Sequence, residues 1–385
     1  STPDASADNK AGGGAIYTNN SVLTLSNVTV SGNSSGYYGG AIKTDVTDVI
    51  LKDGTKLVGN SGGTGAALYL TSESSLTATD LTVTDNVSAG NGVIYMNGKN
   101  FTFTNLAADN NTAQWNGGVF YISGSKTNVA VDNSTFEENY APNGGILYAS
   151  NSTVQFNGGE MSGNNANNGG VAYGENANIT FAGSTLKNNS AAQSGGAIYT
   201  VNGNLEIMNS VLSENESSNN GGSVYSNQSI ATLNNTTFSK NNATNNGGAI
   251  DIVGASVTVT DCEFTENTAN KHGGAVYVTY FTNTESSANV PGKLIMTDGS
   301  FVNNTAMGGG AVSIRSACEA TFDGTIFEEN SVTGFADQND GDGEGGGAIY
   351  VGYGSLTMNN ATVTGNTAAG FFYIHMLTDS FKLCN

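Results

Sequence analysis

Four carboxylates are crowded into one loop: Asp337, Asp340, Asp342 and Glu344, interleaved with Gln338, Asn339, Gly341 and Gly343. Hard oxygen ligands with glycine between them are what Ca²⁺ takes, so the loop is a candidate calcium site. Its spacing is not that of an EF-hand, which closes on a glutamate at the twelfth position, and a solvated acidic loop is the competing reading. A second candidate is a row of aromatics. Tyr121, Tyr148, Tyr173, Tyr199 and Tyr225 recur at a nearly constant interval, and aromatic faces repeated at the strand spacing of ~4.8 Å can stack on sugar rings or pack on a partner. The alternative is that each ring packs on the next and stiffens a sheet.

Acid–base catalysis would require carboxylates converging from neighbouring elements, with a basic residue beside them for a lyase. Glu137 and Glu138 are far along the chain from Glu328 and Glu329, Glu266 is two repeats from the latter pair, and the single arginine, Arg315, has no acidic cluster in its column. His272 and His375 are isolated, and Trp115 falls in a turn with no role assigned. Cys262, Cys318 and Cys384 are too few and too scattered for a disulfide framework or a metal site. The residues therefore predict no enzyme, and no cofactor apart from the Ca²⁺ candidate.

Composition narrows the partners. Among 385 residues, 32 are acidic and 12 basic, a net charge of −20 that disfavours nucleic acid and anionic lipid. No apolar run approaches the ~20 residues that span a bilayer, so direct membrane insertion by this segment is not expected. Residues 1–12 are polar rather than signal-like. With 53 glycines, 3 prolines and only 11% charged residues, the polar surface must be built from Asn, Thr, Ser and Gly, which suits strands and turns and disfavours helix.

What positions the candidate residues is a repeat. Gly14, Gly40, Ala66, Gly92, Gly118, Gly145, Gly170, Gly196, Gly222, Gly248 and Gly274 follow one another at steps of 25 to 27 residues. Gly310 and Gly347 continue the series after longer steps of 36 and 37. A second marker, an apolar residue three before an asparagine, keeps the same beat, as in Val83/Asn86, Ala107/Asn110, Leu212/Asn215 and Phe264/Asn267. Two markers in phase through thirteen units define a solenoid. Within a unit the apolar period is two, as at Leu205 and Ile207, and Asn202-Gly203 and Asn219-Asn220-Gly221 are turn chemistry. Three strands per coil, each stacked on its equivalent and joined by right-handed crossovers, predict an all-β, right-handed parallel β-helix.

The columns assign faces. The position of Ile198 holds Ile16, Ile42, Leu68, Ile94, Phe120, Leu147, Ala172, Val224, Ile250, Val276, Val312 and Ile349, and must point inward. The next position points outward and holds ten tyrosines, interrupted by Lys43, Asp251 and Ser313; the alanine before the inward residue is also expected outside. The asparagine column reads as a ladder of amides between coils. Residues 1–370 are thus expected to form one β-helical domain with lateral insertions near 280–292 and 331–345, and 371–385 to form an incomplete last coil or a capping tail. The array reads as a piece of a longer one, with open ends that invite self-association end to end or side by side.

The alternation of Gly-Gly-Ala-Ile, at 13–16, 39–42, 195–198, 247–250 and 346–349, with Phe-x-x-Asn, at 136–139, 238–241, 264–267, 301–304 and 327–330, resembles the repeats of chlamydial polymorphic membrane proteins. The resemblance extends over residues 12–370. It implies a secreted or surface-displayed β-helix used in adhesion, with a host or neighbouring cell-surface protein or glycan as partner. A carbohydrate-active β-helix enzyme of the pectin lyase or glycoside hydrolase kind is the alternative.

Overall fold

A computed structural model describes residues 12–71, 73–125, 127–286, 288–333 and 345–368, and the short strand Lys382–Leu383. The Ca²⁺ candidates Asp337, Asp340, Asp342 and Glu344, and most of the 371–385 tail, lie outside the described residues. Lys382–Leu383 pairs in parallel with Thr357 and Met358.

No helix occurs among the described residues, and each coil contributes strands to the same set of parallel rows. The coil that opens at Gly195 is representative. Its first strand is Ile198–Val201, its second Asn204–Met208 and its third Val211–Ser213. A two-residue fourth strand, Glu216–Ser217, adds a narrow row to the three main ones expected. Most strands of this row have two residues, too short to show an alternating pattern, and only a few, such as Ser34–Tyr38 and Ser190–Ser194, run longer.

Corners explain the composition. Asn202, Asn209 and Glu214 separate the four strands with φ of 53°, 50° and 55°, and Gly195 precedes the first at 67°. Asparagine tolerates this left-handed backbone better than most residues and glycine adopts it freely. The second glycine of the pair answers a different need: a Cβ on Gly196 would clash with the carbonyl oxygen of Gly222 in the next coil.

The chain forms two compact units, Ser1–Ala166 with Gly170–Ala177, and Asn167–Gly169 with Asn178–Asn385. In the first, Ile42 pairs with Leu68, Leu68 with Ile94, Ile94 with Phe120 and Phe120 with Leu147, all in register. In the second, Ile198 pairs with Val224, Val224 with Ile250 and Ile250 with Val276. These inward columns are fully buried. The alanines ahead of them, expected outside, are buried too, as at Ala41, Ala197, Ala249 and Ala311. The cause is the glycine turn, which folds back so closely on the following strand that a Cβ on Gly195 would strike the carbonyl of Ile198.

Asparagine amides run as a ladder inside each unit. In the first, Nδ2 of Asn33, Asn60, Asn86, Asn111 and Asn139 donates to Oδ1 of the next at 3.0 Å. In the second, the chain runs from Asn189 through Asn215, Asn241, Asn267, Asn304 and Asn330 to Asn366 at 2.8–3.1 Å. The same Nδ2 reaches back to the preceding coil, as from Asn86 to the Leu57 carbonyl at 2.9 Å, so each amide joins three coils. One rung differs from the sequence alignment: Asn111, not Asn110, carries the ladder, with Ala108 rather than Ala107 inside. Asn110 instead forms the corner at φ 53°, its Nδ2 on Asp85.

The insertion near 280–292 is an antiparallel pair, Phe281–Thr282 against Asn289–Val290, outside the parallel rows. The second strand resumes at Lys293, in register with Ser256.

Candidate recognition surface

The tyrosine row lies outside the core, on the first strand of successive coils. In the first unit Tyr69, Tyr95, Tyr121, Tyr148 and Tyr173 stack in sequence, with ring centroids 4.5, 5.4, 5.3 and 5.3 Å apart and planes within 11° of parallel. In the second, Tyr199 stacks on Tyr225 at 4.8 Å. Ring faces are thereby occupied by neighbouring rings, and the glycine turns crowd the backbone beside them, leaving the tyrosines half-buried. Edges and hydroxyls, not flat faces, are what an approaching molecule meets. Burial pushes the Tyr121, Tyr148, Tyr199 and Tyr225 phenols above their ordinary values, and Tyr148 also donates to Glu175 Oε2 at 2.8 Å.

The three interruptions of the row differ from one another. Lys43 lies in the row 7% exposed, its Nζ 3.5 Å from Asp45 and 5.1 Å from the Tyr17 ring centroid, while Tyr38 supplies a ring on Tyr69 at 4.6 Å. At Ser313 the imidazole of His272 leans between Tyr277 and Tyr350, at 5.9 and 6.4 Å, and takes the place of the missing ring. The Arg315 guanidinium is 6.0 Å from the Tyr350 ring centroid. Asp251 follows neither pattern. It is 1% exposed and neither carboxylate oxygen has a hydrogen-bond partner, and burial pushes its carboxyl well above the usual range.

A carboxylate pair that the sequence reading passed over sits on the outer face of the third row. Asp109 pairs in register with Glu137. Burial and then the Glu137 charge raise the Asp109 carboxyl. Aligning the coil on Asn111 would have placed these two side by side. Glu266, Glu328 and Glu329 belong to other coils, and Lys240 is 3.9 Å from Glu266. Among the described residues no three His, Cys, Asp or Glu side chains are grouped as metal ligands. Trp115 is 62% exposed in the turn before Gly117.

The two described cysteines, Cys262 and Cys318, are structural, and Cys384 lies outside the described residues. Cys262 Sγ donates to the Thr260 carbonyl at 3.3 Å, as Ser210 and Thr236 do at the same corner of preceding coils. Cys318 Sγ accepts the Gly292 N–H at 3.3 Å, as Ser229 Oγ accepts that of Gly203. Both are buried and free, and burial raises both thiols, that of Cys262 to about 11.

The family model of a right-handed β-helix region matches residues 13–186. The model of the Chlamydia polymorphic membrane protein repeat matches residues 183–201, 235–252 and 261–279. Each matched repeat runs from the corner before the third strand, through the ladder asparagine and the glycine pair, into the next first strand. A search of curated proteins finds no match. The chain is a right-handed parallel β-helix that carries repeats of the Chlamydia polymorphic membrane protein type.

Proposed function

We propose that this chain is a non-catalytic β-helical adhesin or spacer displayed at a cell surface, whose partner is a protein or glycan on a host or neighbouring cell. One observation carries the reading: the side chains that recur from coil to coil are committed to joining coils, through amide rungs and tyrosine stacks. That leaves an outer surface of hydroxyls, amides and aromatic edges, of a kind that contacts a neutral partner over many repeats. The repeat matches support surface association, because their family is named for membrane proteins.

The test is a panel of cell-surface glycans and proteins presented to the purified chain. Retention without product release is expected, and turnover of any glycan would sink the non-catalytic reading. Replacing Tyr121, Tyr148 and Tyr173 together by Ser should weaken retention at least tenfold with an unchanged circular dichroism spectrum; unchanged retention would remove the row from the contact surface.

The in-register pair Asp109 and Glu137 favours a second reading, a carbohydrate-active enzyme. Two carboxyls side by side in adjacent coils, one of them raised by burial and by its neighbour's charge, are the kind of pair glycoside hydrolysis uses. Its expected outcome is reducing-sugar release that Asp109→Asn abolishes.

A further inference from the structure

We propose that Asp251 is a proton-linked latch: as a neutral acid it closes the interrupted tyrosine row of the second unit, and its ionisation loosens the coils around it. The inference concerns stability rather than recognition, and stands or falls independently of the proposed function.

Three observations carry it. Asp251 occupies a position that ten other coils fill with tyrosine, and it pairs in register with Tyr225 on one side and Tyr277 on the other. At 1% exposure it is closed to any solute, which rules out a docking pocket for a partner's side chain. Neither Oδ1 nor Oδ2 has a hydrogen-bond partner. An ionised carboxylate in that setting would be uncompensated, and the usual outcome is that the group keeps its proton. The raised carboxyl, caused by burial alone, agrees.

The other interruptions sharpen the contrast. Lys43 has Asp45 as its counter-ion, and the Ser313 gap is filled by His272. The titratable groups on elements packed against Asp251 are Tyr199 and Tyr225 in the preceding coils, Tyr277 in the next, and the exposed Lys271 and half-buried His272 on the turn that leads to Tyr277. Asp251 forms no ion pair with either of those bases. Burial first, and then the charge Asp251 would carry, raises the Tyr199 and Tyr225 phenols, as expected of groups that share its surroundings.

The sign follows from linkage. Unfolded, Asp251 ionises near ~3.9; folded, it holds its proton to a higher pH, so the folded state binds more protons between the two values. The chain is therefore most stable, as far as this group is concerned, at low pH. Its unfolding constant rises by up to about tenfold per pH unit through that window, then levels off above the folded value.

Urea unfolding of the full chain at intervals from pH 3.5 to 9 tests this, comparing wild type with Asp251→Asn and Asp251→Ser. Serine is the residue the chain itself uses at position 313. Each substitution adds a pH-independent offset of its own, but the difference from wild type should change by at least tenfold in unfolding constant across the series, in favour of the variants as pH rises. Differences that stay constant with pH for both variants would overturn the proposal. So would a carbon-13 carboxyl signal of Asp251 in the native chain that titrates in the ordinary carboxylate range.

Discussion

In the first unit aromatic rings stack outside the core: Tyr69, Tyr95, Tyr121, Tyr148 and Tyr173 follow one another without a break. The inward column of its third row holds unlike side chains, Val30, Leu57, Val83, Ala108, Phe136 and Met161. In the second unit the arrangement is reversed. The outer row pairs Tyr199 with Tyr225 and is then interrupted at Asp251 and Ser313. Inside, Phe238, Phe264, Phe301 and Phe327 stack at 4.8, 4.8 and 4.9 Å. Rungs set at the strand spacing place identical rings face to face in either column, so the backbone permits a stack wherever consecutive coils carry aromatics. The difference teaches that a stacked aromatic column can form on either side of the sheet.

If the filled inner column holds the second unit together, emptying it should have the largest effect. Phe264→Ala removes a fully buried ring that contacts Phe238 and Phe301, and should cost about 3–5 kcal/mol in urea unfolding. Phe264→Leu keeps most of the volume and should cost less than about 1.5 kcal/mol. Equal costs for the two would mean that the ring stack itself, and not the filled volume, is what counts.

The outer row should respond more weakly and unevenly. Tyr121 loses two ring contacts on substitution by Ser, and about 1–3 kcal/mol is expected for a half-buried ring flanked on both faces. Tyr225 has a ring on one face only and an acid on the other, so Tyr225→Ser should cost roughly half as much. That variant also admits water to Asp251, which should lower its carboxyl and flatten the pH dependence of stability. Equal costs at the two positions would break the distinction between a continuous and an interrupted row.

How far these features were legible depends on whether a residue's role is periodic. The glycine beat, the inward column from Ile16 to Ile349 and the asparagine ladder were readable because each recurs once per coil and obeys a single rule. The third row was misread at one coil because Asn110 and Asn111 are adjacent, and only hydrogen bonding decides which turns inward. The alanine column and the half-burial of the tyrosines were not readable from alternation, which assigns a side chain to one face of a sheet and cannot register a turn folded over that face. Asp251 was visible as a break in the row but not as a buried acid, for the same reason. The pairing of Asp109 with Glu137 was missed because the coil was aligned on Asn110 instead of Asn111, which sets the two acids one residue out of register.

The smallest expected effect comes from a corner that both units build alike and at which one coil of the second unit changes the chemical type. At the corner between second and third strands the first unit has Ser134, whose Oγ donates to the Asp132 carbonyl at 2.9 Å. The second unit has Ser210 and Thr236 there in two coils and Cys262 in the next, its Sγ on the Thr260 carbonyl at 3.3 Å. A thiol at this site invites a redox reading, but a reactive cysteine needs thiolate character and access. Cys262 has neither: it is fully buried, and burial raises its thiol to about 11. The corner asks only for a small donor aimed at the carbonyl two residues back, which a hydroxyl supplies with a shorter bond. Cys262→Ser should therefore leave stability within about 0.5 kcal/mol of wild type. The native thiol should also stay unlabelled by a maleimide until urea unfolds the chain. Labelling of Cys262 under native conditions, or a loss of several kcal/mol in the serine variant, would show that sulfur is there for its chemistry and not for its size.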